Sequence, residues 1–182
     1  AELSFDEVAT VYISQRTFLD ILRYVAKATR ELPPFYYLGM SIWFRVAGTS
    51  EFAIRYPSVL IGIFIVAWGV RQGRAILGSR GGGIWTGVLL ALAPASLWAA
   101  RTGRMYALVI LLAMLTMHAW WRWVDSPTWQ RGTLFVILSI VGALTHYFLV
   151  FLWVAQGLML LLTPRKTRGI RWMWLGSVAA GG

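Results

Sequence analysis

The chain has 182 residues, of which 58% are hydrophobic and only 13% charged, with a mean hydropathy of +0.64. That is too little polar surface to cover a soluble globule, and it points to an integral membrane protein. The net charge of +10 does not indicate nucleic acid, because the basic residues sit in short loops between apolar runs rather than on one soluble face. Cysteine is absent, which excludes a disulfide framework and a thiolate metal site.

Eleven Trp and seven Tyr suit a membrane chain, since amphipathic rings collect at its two interfaces. The chain begins at Ala1 with no basic n-region and ends inside an apolar segment at Ala179-Ala180-Gly181-Gly182, so further chain is expected on both sides. Six of the seven acids (Glu2, Asp6, Glu7, Asp20, Glu31, Glu51) fall in the first 51 residues, while the 17 Lys and Arg run its whole length. In Ser4-Phe5-Asp6-Glu7 the acidic pair stands just ahead of an amphipathic segment. Its plain structural role is negative charge in the first turn of a helix beginning near Val8.

From residue 8 to 30, Arg16, Asp20, Arg23, Lys27 and Arg30 recur at helical spacing, with Phe18, Leu19, Ile21, Leu22 and Val25 filling the rest of the wheel. This predicts an amphipathic helix in the membrane surface, bent where Thr17 caps a second half with Asp20 three residues on. Pro33-Pro34 ends that element and opens the next. Residues 35–47 are apolar but number only 13, roughly 20 Å as a helix against a hydrocarbon core of about 30 Å. Gly48 stops this helix, and Ser50 with Glu51 starts another.

Spans are predicted at residues 52–70, 84–99 and 105–124. The run 132–163 is too long for one upright span, so it is read as two short ones broken at Thr145-His146-Tyr147, and a last span begins at Trp172. Arg71, Arg74, Arg80, Arg122, Arg131, Arg165, Lys166, Arg168 and Arg171 lie on alternate loops, which the positive-inside rule makes cytoplasmic. Gly69, Gly73, Gly78 and Gly81 to Gly83 read as turns on that side. The expected fold is an all-α integral membrane protein, a polytopic helix bundle in which two interfacial amphipathic helices precede about six transmembrane segments. Residues 1–50 form a non-cytoplasmic loop and residues 51–182 the membrane bundle.

This topology gathers Asp6, Glu7, Arg101, Arg104, Tyr106, His146 and Tyr147 on the non-cytoplasmic face. Each also has a plain role, the arginines against lipid headgroups and His146 and Tyr147 at helix ends. Separate loops nevertheless deliver them to one side.

The order of motifs carries a resemblance. An Asp-Glu pair and an amphipathic helix are followed by PPFYYLGMSIWFRVAGTSEFAIRYPSVL (33–60), APASLWAARTGRMYAL (93–108) and LTHYFLVFLW (144–153). This resembles the polytopic GT-C glycosyltransferases of the protein O-mannosyltransferase and RgtA/B/C/D-like type, over about 150 residues. The resemblance implies a GT-C-like membrane enzyme of the bacterial inner (cell) membrane. It would take a sugar from a polyprenyl-phosphate carrier and place it on an acceptor at the non-cytoplasmic face. It implies Asp6 as general base, with Glu7 assisting or, with Asp6, binding a divalent cation such as Mg or Mn. Arg104 with Tyr106 beside it would hold the lipid phosphate, Arg101 would support it, and His146 and Tyr147 would line the carrier or sugar site. Partners are then the lipid-linked donor and the bilayer, with no nucleic acid.

Two positions depart from the pattern: Leu32 stands where relatives often have histidine, and Arg101-Thr102-Gly103 where they often have Gln-Glu-Ala. An alternative reading is therefore a non-catalytic membrane subunit that retains a degenerate scaffold of this kind. It would meet protein partners through Trp120, Trp121, Trp123, Trp129, Trp172 and Trp174.

Overall fold

A computed structural model of the chain describes residues 3–28 and 33–162, and among them it is helical throughout. The order is α1 (Phe5–Ser14), α2 (Phe18–Ala28), α3 (Phe35–Ala47), α4 (Glu51–Leu77), α5 (Arg80–Leu92), α6 (Pro94–Arg101), α7 (Tyr106–Asp125), α8 (Trp129–Thr145) and α9 (Leu149–Leu162). The chain divides into two compact units. The first runs to Leu111, within α7, and the second continues from Leu112.

In the first unit the amphipathic segment begins at Phe5 rather than near Val8, because Ser4 and Glu7 form a reciprocal capping box. The expected bend is there as well. Thr17 Oγ1 accepts from the Asp20 amide at 3.3 Å and donates to the Asp20 carboxylate, separating α2 from α1. Helix α3 has the expected bounds and ends at Gly48, whose φ of +73° only glycine adopts freely. Ser50 caps α4 through the Ala53 amide at 3.2 Å.

Pro57 lies inside α4 and has no N–H for the carbonyl of Ala53, four residues back. The orphaned oxygen is not left bare. The Trp43 indole N–H donates to it at 2.8 Å, and the same ring stacks on Tyr56 with centroids 5.9 Å apart.

Residues 71–83 correct the sequence reading. Instead of a long flexible loop, α4 runs on to Leu77 and α5 starts at Arg80, with Gly78 in the left-handed conformation and Ser79 as cap between them. Gly69 and Gly73 on α4 receive Leu90 and Thr86 of α5, and Gly83 and Gly87 on α5 receive Val70 and its neighbours on α4, so the two helices close directly on each other. A Cβ at Gly83 would stand 2.7 Å from the carbonyl oxygen of Val70. Small residues four apart are how helices pack where no water is available to drive apolar burial. Charge placement and glycine content had suggested a turn; the spacing of the glycines is what the structure uses.

The predicted span 84–99 is likewise broken. Pro94 opens a new helix and Ala93 ahead of it is extended, so α5 and α6 meet at a 58° bend. Of the described helices, Glu51–Leu77 and Tyr106–Asp125 are long and apolar enough to cross a membrane, and the bent pair makes a third if it counts as one span. Side chains such as Ile63 (60% exposed) and Phe64 (62%) give α4 an outward apolar flank suited to lipid.

In the second unit the run 132–163 breaks where expected, after Thr145. It yields α8 and α9, which at 17 and 14 residues are about 25 and 21 Å long and short of a full crossing. The core here is aromatic: Trp120, Trp123, Phe135 and Leu160 are buried together, with the Trp123 and Phe135 rings stacked at 5.4 Å. The described residues thus provide two or three full-length spans and the two short apolar helices expected after them. The segment from Trp172, the basic residues 165–171, Leu32 and Trp174 lie outside the described residues.

Candidate functional site

Neighbouring residues on a helix point in different directions, about 100° apart, and the capping box uses this to split the acidic pair. Glu7 turns inward. It is 1% exposed, and its two oxygens accept from the Ser4 amide (3.0 Å) and hydroxyl (3.2 Å), Arg55 Nε (2.8 Å) and Nη2 (2.9 Å), and the Gly103 amide (2.9 Å). The Arg55 guanidinium is the main reason its carboxyl is held down to about 2. Burial opposes the shift, and the Gly103 and Ser4 amides reinforce it. Arg55 also pairs with Glu51, one turn earlier on α4.

This clamp ties three pieces together: the start of α1, the second turn of α4, and the turn between α6 and α7. Gly103 is required there by close approach, since a Cβ would run into Ile54 and stand 3.3 Å from Glu7 Oε1. Thr102, at the position where relatives often carry glutamate, spends its hydroxyl on the Trp98 carbonyl at 2.8 Å.

Asp6 turns outward, with a side chain 57% exposed. Arg104 follows the clamped Gly103 and is buried. Its Nη1 donates to the Asp6 carbonyl at 3.2 Å, and Nη2 lies 4.0 Å from the Asp6 carboxylate. The guanidinium carbon is 6.0 Å from the Tyr106 ring, which in turn packs on Trp98 at 4.7 Å. Nε of Arg104 has no partner, and neither has the hydroxyl of Tyr37. Burial pushes the Tyr36 and Tyr37 phenols above their usual range, and the charge on Arg104 works against that, so both stay neutral donors at any physiological pH. Beside Tyr36 a groove of about 190 Å³ runs between α3, α4 and the start of α7, walled by Gly39, Met40, Pro57, Ile61 and Leu108.

The structure therefore brings together Asp6, Glu7, Arg104 and Tyr106. Arg101 is exposed in the last turn of α6. His146 and Tyr147 belong to the second unit. There His146 is buried as the C-cap of α8: its amide donates to Gly142, its Nδ1 accepts from the Phe148 amide at 3.2 Å, and its ring stacks on Tyr147 at 4.9 Å.

The donor set does not fit a divalent cation. Both oxygens of Glu7 are covered by five donors, including an arginine fork, which leaves Asp6 as a single carboxylate. Among the described residues no cluster of three or more His, Asp or Glu offers another site.

Arg55, Tyr36 and Tyr37 escaped the sequence reading. A usable signal for Arg55 was its position four residues after Glu51 at the head of an apolar span, where a charge needs a partner.

Helices long and apolar enough to cross a membrane, with charged side chains clustered at their ends, fit an integral membrane protein whose polar site lies beside an apolar groove. The chain belongs to the dolichyl-phosphate-mannose-protein mannosyltransferase family, whose sequence profile matches residues 31–180. It is thus a membrane protein of glycosyltransferase type. Arg101, Arg104, Tyr106, His146 and Tyr147 fall within the matched stretch, and Asp6 and Glu7 precede it. No curated protein and no solved structure matches the chain.

Proposed function

We propose that this protein transfers a sugar from a polyprenyl-phosphate carrier to an acceptor hydroxyl on the non-cytoplasmic face of the membrane. One observation carries the reading: a buried arginine with an unpartnered Nε lies 4.0 Å from an exposed carboxylate. Buried polar groups without partners are rare, and an arginine fork suits phosphate oxygens.

Asp6 takes the proton of the acceptor hydroxyl while that oxygen bonds to the anomeric carbon from the face opposite the carrier. The bond from the anomeric carbon to the phosphate oxygen breaks, and its electron pair leaves with the lipid phosphate. Arg104 meets the charge that develops there, and the neutral Tyr37 hydroxyl offers it a hydrogen bond. The groove beside Tyr36 takes the first isoprene units. Glu7 positions rather than reacts, because its charge is spent on Arg55 and Gly103. Arg101 meets headgroups at the surface. The membrane is the bacterial inner membrane.

The non-catalytic alternative rests on the missing glutamate and on Trp faces that would meet protein partners. Of the tryptophans expected there, Trp120 and Trp123 are buried in the core of the second unit, which leaves Trp121 and Trp129 as the exposed ones among the described residues. Thr102 and Gly103 occupy that turn without disturbing Glu7 or Arg104, which favours an intact site.

The test uses membranes containing the full chain and radiolabelled polyprenyl-phosphate mannose as the probe. Asp6→Asn is expected to lower sugar release from the carrier by 10² or more, on the order of a general base's contribution, with donor retention unchanged. Arg104→Gln is expected to weaken donor retention. Unchanged release in Asp6→Asn would remove Asp6 as the base, and a wild type that neither retains nor consumes the donor would favour the non-catalytic subunit.

A further inference from the structure

The second unit holds a feature that the transfer chemistry does not use. Helices α4 and α5 close through glycines on both, but α7 and α8 meet through Trp123 stacked on Phe135, and rings of that size hold the two backbones apart. Where α8 begins, Gly132 lies against the Trp123 indole, where a Cβ would stand 3.1 Å from Nε1, so no side chain from that position enters the space beside the ring. The result is a groove of about 400 Å³, almost wholly apolar, walled by Trp123, Trp129, Gly132, Val136 and Ile137. Its mouth is at the turn that ends the α7 span. Arg122 is exposed there, and Arg131 donates from Nη1 to the carbonyls of Arg122 (3.2 Å) and Ser126 (3.0 Å), so both cations sit at one end of the groove. The nearby acid is Asp125, which accepts from the Ser126 hydroxyl at 3.2 Å.

Size decides what the groove can hold. A helix with its side chains is about 10–12 Å across and does not fit in 400 Å³. If a methylene fills about the liquid volume of one water, ~30 Å³, there is room for roughly a dozen carbons of a single chain. Two arginines at the mouth, against one aspartate, complement an anionic headgroup, and exposed Trp129 suits the interface.

We propose that this groove binds an anionic glycerophospholipid of the surrounding bilayer, with one acyl chain between α7 and α8 and its phosphate at Arg122 and Arg131. The lipid fills a gap that protein packing leaves open at the end of a span.

Native mass spectrometry of the full chain in detergent tests this, with dioleoyl phosphatidylglycerol and dioleoyl phosphatidylcholine offered at equal concentration. One phosphatidylglycerol is expected to remain bound, preferred by about five-fold for each arginine that reaches it. Arg122→Gln, at an exposed position, is expected to lower that preference about five-fold without changing the melting temperature. Ile137→Trp, which fills the groove from its exposed side, is expected to abolish the adduct. Equal retention of the two lipids by the wild type, or an adduct that survives both substitutions, would mean ordinary bilayer contact and overturn the proposal. A dimer that Ile137→Trp disperses would overturn it too, making the groove an interface between copies.

Discussion

Replacing Glu7 by Gln is the most direct probe of how the site is held. The substitution keeps the side chain's size and removes the charge that faces Arg55. The interval between an ordinary glutamate near 4.5 and the value of about 2 held here corresponds to ~3 kcal/mol. Arg55 is 26% exposed, and screening at that end lowers the expected loss to about 2 kcal/mol. For a chain of this length that is a fall in melting temperature of roughly 4–8 °C.

Because the folded carboxyl titrates lower than the unfolded one, its contribution is complete above the unfolded value. It is lost as the pH falls from 4.5 towards 2. The measurement is thermal unfolding of wild type and Glu7→Gln in the same detergent, from pH 7 downwards. The gap between them is expected to stay constant above about pH 5 and to shrink below 4.5. A gap that is missing at pH 7, or that does not change on acidification, would refute the clamp.

Three further substitutions separate the other interactions. Trp43→Phe is expected to cost about 1–2 kcal/mol in unfolding experiments, and about 1 kcal/mol less in a Pro57→Ala background, where the new amide can reach the Ala53 carbonyl. Gly83→Ala is expected to lower stability by about 2 kcal/mol, since its Cβ meets the Val70 backbone at 2.7 Å, whereas Gly81→Ala, which meets nothing within 4 Å, serves as the neutral control. Tyr37→Phe removes a buried hydroxyl that has no partner, so the melting temperature is expected to hold or rise slightly while retention of polyprenyl-phosphate mannose weakens.

Local signals were legible in the sequence. Thr17 with Asp20, Pro34 at the start and Gly48 at the end of α3, Ser50 ahead of Glu51, and the break after Thr145 each act on the turn beside them, and the structure uses all of them. The pairing of Glu7 with Arg55 was not legible, because 48 residues separate partners that only the fold brings together. The hairpin at residues 71–83 was misread for a different reason. Glycine is permissive in a turn and equally suited to close helix contact, and composition alone does not distinguish the two uses. In the candidate site the acidic pair and Arg104 were visible as motifs. The division of labour inside the pair was not, since it depends on which way α1 is rotated.

That rotation makes the order of the two acids a matter of phase. Glu7 is anchored at five points, so the direction of Asp6 follows from the helical step and nothing else needs to aim it. A single residue inserted between Ser4 and Phe5 would leave both acids in place along the chain and turn neither from its neighbour, yet it would break the capping box that starts the count. Reversing the pair to Glu-Asp would present the shorter carboxylate to Arg55 and the longer one to the pocket. The exposed positions of α1 outside this dipeptide take no part in the clamp, whereas the order of its two letters decides which acid is held and which is offered.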